Sequence, residues 1–232
     1  MKKKRGYRGS RATAPLPRNE AHRSITTEEA ERAIYIDFEK TVKGPPALLG
    51  VQVESNLQQI VLDPRLAGAA RASGLEQGDL ETTLRRLIRW AEDERRPLVA
   101  FSQFERDVIH QCIGRDVSDL YRDARMIAVR WKKACEPKAK LEDRGLKSFL
   151  KLIDYPRRRY LGELKAAKWV RVVQEALEKQ EGDFEKLTAV QKSFWTKLLE
   201  HNQVDCDGMR ELVLTAAQQF AERAEKGTSS GM

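Results

Sequence analysis

Three short apolar runs of the N-terminal half read as strands, the first with alternating apolar and polar residues: Ile34-Tyr35-Ile36-Asp37-Phe38-Glu39, Leu48-Leu49-Gly50-Val51-Gln52-Val53 and Gln59-Ile60-Val61-Leu62. A period of two predicts strands. Gly44-Pro45-Pro46 and Ser55-Asn56 separate them as turns. These links are too short for a crossover helix, so the three strands form an antiparallel meander. Thr26-Thr27-Glu28-Glu29 ahead of them reads as a helix start or a polar lead-in. The period then changes. Leu80, Leu84, Leu87, Ile88 and Ala91 recur at helical spacing over 79–95, and Pro97 ends the pattern. Leu98-Val99-Ala100-Phe101 predicts a buried strand. A helix over 105–113 follows, with Gly114 just beyond it. Val117-Ser118-Asp119-Leu120 reads as a fifth strand leading into a helix through Trp131.

The second half is helical. Patterns cover 146–153, ended by Pro156, then 168–180, then 188–224, the last as one bent helix or two in succession. Residues 135–145 are charged and irregular and read as a mobile loop. The fold class expected is α/β: a mixed five-stranded sheet, three antiparallel strands then parallel ones, flanked by helices.

Charge divides the chain. Its net charge is +8, from 43 Lys and Arg against 35 Asp and Glu. Residues 1–24 hold eight Lys and Arg against Glu20 alone, so the remainder is nearly neutral. Residues 1–25 are read as a disordered basic tail, either a phosphate-binding arm or a solubilising end. Residues 26–225 form one domain, and 226–232 a disordered end. Three scattered cysteines exclude a disulfide framework and lack zinc-ligand spacing. They favour a reducing, cytoplasmic setting. No apolar run approaches the ~20 residues of a membrane span, and no membrane partner is expected.

Three polar features stand out against this background. Strand alternation puts Asp37 and Glu39 on one face and Ile34, Ile36 and Phe38 on the other. Two neighbouring carboxylates need a cation or a shared proton when buried, and hard divalent ions take carboxylate oxygen. At a strand end open to water the pair needs neither. In the last helical pattern, Phe194, Leu198, Met209, Leu212, Ala216 and Phe220 share a stripe with His201 and Asp205. A carboxylate in a core-facing stripe requires a partner, such as His or Arg. Glu105, with Phe104 before it, follows the fourth strand at a helix start, where ligands bind in α/β sheets. A carboxylate there also suits the positive helix end by itself.

Taken in order, Asp-x-Glu on the first strand, Phe-Glu after the fourth and His-Asn-x-x-Asp-Cys on a late helix resemble the DEDD superfamily of 3′–5′ exonucleases. The similarity is greatest to the branch of predicted nucleases whose last motif reads Tyr-Asn-x-x-Asp-Cys. It spans roughly Ile34 to Ala217 and includes Asp119-Leu120-Tyr121 and Gly145-Leu146-Lys147-Ser148. The resemblance implies a ribonuclease H-like fold and two Mg²⁺ or Mn²⁺ ions. It implies that Asp37, Glu39 and Asp205 hold the first metal, and that Asp37 bridges to the second. Glu105 reaches that second ion directly or through water. His201 takes the place of the family's Tyr or His, which orients or deprotonates the attacking water. Asn202 and Lys147 become supporting or substrate contacts, and Phe38 and Phe104 substrate contacts.

Two positions depart from the pattern. Glu105 stands where the family usually has Asp, with Asp107 as a fallback on another side of the helix. His201 stands four residues before Asp205, where the family has Tyr at four or His at five.

The activity expected is two-metal hydrolysis of phosphodiester bonds at single-stranded DNA or RNA 3′ ends. Nucleic acid is the expected partner, and a helicase or other nucleic-acid-processing protein is the kind that would deliver it. The competing readings are a weak or inactive module that binds nucleic-acid ends and a helical interaction protein with structural carboxylates. Trp90, Trp131, Trp169 and Trp195 fit core or half-buried positions. Arg157-Arg158-Arg159-Tyr160 reads first as a solvated loop and second as a phosphate contact.

Overall fold

The structure, a computed structural model, describes residues 20–157 and 163–229. Helix α1 (Thr27–Arg32) opens with a reciprocal cap. The Thr26 hydroxyl accepts from the Glu29 amide at 3.1 Å, and the Glu29 carboxylate accepts from the Thr26 amide at 3.0 Å. Two otherwise unpaired donors are satisfied at once. The chain then enters β1 (Ile34–Lys40), β2 (Pro46–Val53) and β3 (Asn56–Val61), paired antiparallel as a meander. Helix α2 (Ala67–Ala72) and the short β4 (Glu76–Gln77) follow. Helix α3 (Leu80–Asp93), capped by Asp79, crosses back to β5 (Leu98–Ala100). Helix α4 (Phe104–Ile113) ends at Gly114, whose φ of 68° continues the chain in the left-handed region that glycine adopts without strain. Strand β6 (Tyr121–Asp123) leads into α5 (Ala124–Cys135), and α6 (Leu146–Leu152), α7 (Glu163–Lys179) and α8 (Ala189–Ser229) complete the chain.

The sheet order is β4-β3-β2-β1-β5-β6, with β5 parallel to β1 and β6 parallel to β5. The protein is therefore α/β with a mixed sheet, antiparallel in its first hairpins and parallel beyond β1. Strand alternation separates two faces. Ile34, Ile36 and Phe38 join Leu84, Leu87, Ile88 and Ile109 in a core beneath α3 and α4. On the opposite face Tyr35 packs with Trp131, Phe149, Met209 and Leu212, under α5, α6 and α8. Leu48 and Val61 pack there with Trp169, Val173, Trp195 and Leu198 from α7 and α8. Helix α8 is continuous for 41 residues, about 60 Å at 1.5 Å per residue. It is long enough to line the whole of that face.

Several expectations need correction. The sheet has six strands rather than five, because Glu76–Gln77 pairs parallel to the edge of β3. The last strand begins at Tyr121, not Val117. Asp116 accepts from the Ser118 amide, and the Leu120 amide reaches the Val117 carbonyl, so 117–120 is a turn. Order starts before residue 26: Glu20–Arg23 forms a 3₁₀ turn, His22 is buried and Ile25 enters the core. At the other end α8 continues past 225 to Ser229. Residues 1–19 of the basic tail, and 230–232, lie outside the described residues. Among the described residues, no helix is long and apolar enough to cross a membrane. The three cysteines are free thiols.

Candidate active site

The site lies where β1 meets the middle of α8. Asp37 and Glu39 project toward α8 because they share the face of Tyr35, as alternation requires. Helix α8 can approach because β2 carries Gly50 opposite Asp37. A β-carbon on Gly50 would lie 2.4 Å from Asn202 Oδ1 and 2.8 Å from Cys206 Sγ. A second close approach occurs at Gly208, where a β-carbon would meet Leu150 at 2.6 Å. Helix α6 and Tyr155 are thereby seated against the same helix.

Asn202 is fully buried and donates its amide to the Asp37 carboxylate at 2.9 Å and to the Asp37 carbonyl at 3.1 Å. Its own Oδ1 accepts from Gln59 at 3.0 Å. His201, one position earlier and also buried, places Nδ1 3.1 Å from Glu39 Oε1 and 3.3 Å from Asp205 Oδ2. The other Asp205 oxygen is paired with Arg157, whose side chain is 7% exposed. The Trp169 ring meets His201 edge-on at 6.0 Å. Glu105, buried at the β5–α4 junction, accepts from the Ser102 hydroxyl at 3.1 Å.

These groups act on one another electrostatically. Burial raises the Asp37 carboxyl well above its usual range, and the nearby Glu39, Asp205 and Glu105 carboxylates raise it further. Glu39 is also raised by burial, against the opposing pull of His201. Glu105 is pushed up to about 7 by burial, with Asp123 and Asp107 adding to the effect. Burial alone would lower His201, but the Glu39 and Asp205 carboxylates outweigh it and raise the imidazole. Four acidic side chains from β1, α4 and α8 thus share one low-dielectric region with one Arg and one His.

Carboxylate oxygens are the kind of ligand that hard divalent cations take. Glu39 Oε1, both His201 ring nitrogens and Arg157 Nε and Nη2 are buried without a hydrogen-bond partner. The His201 ring approaches Glu39 and Asp205 closely without an aligned hydrogen bond, and the contacts become ion pairs when the imidazole is protonated. Of these atoms the guanidinium nitrogens are donors and Glu39 Oε1 is the carboxylate acceptor; an unpaired carboxylate oxygen beside other carboxylates is what a bound cation relieves. In the arrangement described, Asp205 and Glu39 turn to Arg157 and His201 instead. Accordingly, no group of three or more His, Cys, Asp or Glu side chains among the described residues stands ready to hold a metal ion.

Glu39, His201 and Asp205 come into contact although Glu39 is far from the other two in sequence, and Asp37 lies near enough to Glu39, Asp205 and Glu105 to feel their charge. Other expected contacts differ. Asn202 has no face left for substrate, since the helix–sheet packing encloses it. Phe38 belongs to the opposite core, 7% exposed beneath α3 and α4, and cannot reach a ligand on the carboxylate face. Phe104 is half-buried, with Lys40 Nζ 4.4 Å above its ring. Lys147 is exposed on the first turn of α6. Asp107 is half-buried and lies 3.9 Å from Arg106. Arg157 is buried rather than a solvated loop residue; residues 158–160 lie outside the described residues. Sequence reasoning also passed over Gln59 and Gly50. Gln59 sits opposite Gly50 in the strand register, the one signal available for it.

No family model, curated protein or solved structure matches the chain significantly.

Proposed function

We propose that this chain is a metal-dependent 3′–5′ exonuclease with a ribonuclease H-like fold, hydrolysing phosphodiester bonds at single-stranded DNA or RNA ends. The observation that carries the reading is the meeting of Asp37, Glu39 and Asp205 where β1 faces α8, with Glu105 at the β5–α4 junction acting on Asp37 electrostatically, beside a sheet ordered 3-2-1 antiparallel and then parallel. Two divalent ions such as Mg²⁺ or Mn²⁺, when bound, would supply charge neutralisation for the scissile phosphate and a lowered pKa for the attacking water. Asp37, Glu39 and Asp205 would hold the first ion, and Asp37 and Glu105 the second.

The chain's own residues have distinct roles in this scheme. Asn202 fixes the Asp37 carboxylate through a donor that has no rotational freedom once buried. His201 Nδ1 lies between Glu39 and Asp205, whose carboxylates favour its protonated form. Its position between carboxylates suits orienting them better than meeting bulk water. Lys147 and the face of Phe104 lie outside the buried cluster, where a strand end would be met.

The test uses 5′-labelled single-stranded DNA and RNA of matching sequence, with Mg²⁺, Mn²⁺ or EDTA. A metal-dependent ladder shortening from the 3′ end, lost in Asp37→Ala and Asp205→Ala, is the expected result. A second reading, a module that binds such ends without cutting, is favoured by the engagement of Asp205 with Arg157. It predicts retained end binding and no ladder with either ion.

A further inference from the structure

Arg157 lies between α6 and α7, outside every motif that suggested the carboxylate site, yet its guanidinium enters the middle of that site. It pairs with one Asp205 oxygen, while the other faces His201. Its positive charge also lowers the Glu39 carboxyl and opposes protonation of His201, so it acts on both of these groups as well as on Asp205. It is nearly enclosed, and its Nε and Nη2 have no partner. A buried guanidinium normally uses its whole donor fork. An Arg held by one edge, with the rest of its donors unsatisfied, is poorly settled in its place.

We propose that Arg157 is an internal counter-cation that competes with divalent metal for Asp205, and that metal loading requires the guanidinium to release that carboxylate. This rests on the metal-dependent reading of the site. The physical basis is occupancy and sign. One Asp205 oxygen holds the guanidinium and the other faces the His201 ring, so a divalent ion at this carboxylate would share it with a fixed positive charge. Like charge makes Arg157 the partner that leaves, because a divalent ion repels a guanidinium at short range. In the metal-free protein Arg157 offsets part of the repulsion among four carboxylates and so keeps the fold intact. In the loaded protein that work passes to the metal, and the released guanidinium is left beside the site with donors suited to a phosphate. The arrangement would keep the site silent until divalent ions are abundant.

The experiment measures Mn²⁺ binding by the electron paramagnetic resonance signal of the free ion, at pH 7.5, in the wild type, Arg157→Gln and Asp37→Asn. Arg157→Gln is expected to bind Mn²⁺ about tenfold more tightly than the wild type, and Asp37→Asn to lose binding. A folded Arg157→Gln variant with unchanged or weaker affinity overturns the competition and leaves the metal site standing. No Mn²⁺ binding by either wild type or Arg157→Gln overturns both readings together. A companion measurement needs no variant. Phenylglyoxal modification of wild-type Arg157, located by peptide mass spectrometry, should be slow without metal and several-fold faster with Mn²⁺. An unchanged rate in protein that demonstrably binds Mn²⁺ also overturns the proposal.

Discussion

The side-chain amide of Asn202 holds Asp37 twice, by its carboxylate at 2.9 Å and by its main-chain carbonyl at 3.1 Å. One residue of α8 thereby ties the orientation of an acidic side chain to the register of the strand that carries it. Asn202→Ala leaves the Asp37 groups and Gln59 without their buried partner. A loss of about 2–4 kcal/mol in urea unfolding is expected, the range for unpaired buried polar groups plus a small cavity. A change below about 0.5 kcal/mol would mean that the contact contributes nothing to folding.

Gly50 permits that contact. Gly50→Ala drives a methyl group into Asn202 and Cys206, both buried and fixed by their helix. The substitution is expected to destabilise by roughly 1–3 kcal/mol, as overpacking does. Cys206→Ala in the same chain should recover only part of this, because the 2.4 Å approach to Asn202 remains. Parallel urea titrations of the single and double variants check both statements.

Asp37→Asn removes one of four mutually repelling charges while keeping an acceptor for Asn202. The metal-free variant is expected to melt a few degrees above the wild type, since relief of about 1 kcal/mol shifts the midpoint by that much. The same variant should show no rise in melting temperature on adding Mn²⁺, whereas the wild type does. Calorimetric scans with and without metal separate the two effects.

The pH dependence of stability follows from signs. Glu105 rises from an ordinary 4.5 to about 7 on folding. A raised carboxyl contributes stability that is complete below pH 4.5 and disappears as pH climbs through 7. At 1.36 kcal/mol per unit the change is about 3 kcal/mol. His201 is also raised, so its contribution is complete below 6.5 and is lost above its folded value. The two act in the same direction. The metal-free protein is expected to be more stable at pH 5.5 than at pH 8, and saturating Mn²⁺ should flatten or reverse that slope. Carboxyls lowered by capping and pairing, such as Asp79 and Asp116, oppose the trend only below about pH 4.5. Chemical denaturation across pH 5–8 is the measurement. A metal-free protein that gains stability toward pH 8 would contradict the buried state of Glu105.

Much of the architecture is legible in the chain because local rules are strong there. Alternation over Ile34–Glu39 sets which residues of β1 face α8. The spacing of Leu80, Leu84, Leu87 and Ile88 sets the buried side of α3, and the Thr26–Glu29 cap sets where α1 starts. These depend on periods of two and 3.6 residues, which a reader of one segment can count. The short edge strand Glu76–Gln77 escapes such counting, since two residues show no period and their pairing depends on β3. The displaced start of β6 escapes it for another reason. Hydrogen bonds from the Ser118 amide and hydroxyl to Asp116, and from the Leu120 amide to the Val117 carbonyl, close a turn where an apolar pair suggests a strand.

The candidate site divides the same way. Sequence by itself determined that Asp37, Glu39, Glu105, His201 and Asp205 are the polar exceptions within apolar patterns, because a charge interrupting a core-facing stripe is visible in any one segment. Only the tertiary structure decided what each exception faces. Asn202 is enclosed against Asp37 and Phe38 turns to the opposite core, while Arg157 leaves the solvent to meet Asp205. The energy of a buried charge depends on the groups across the packed interface, and those come from distant parts of the chain.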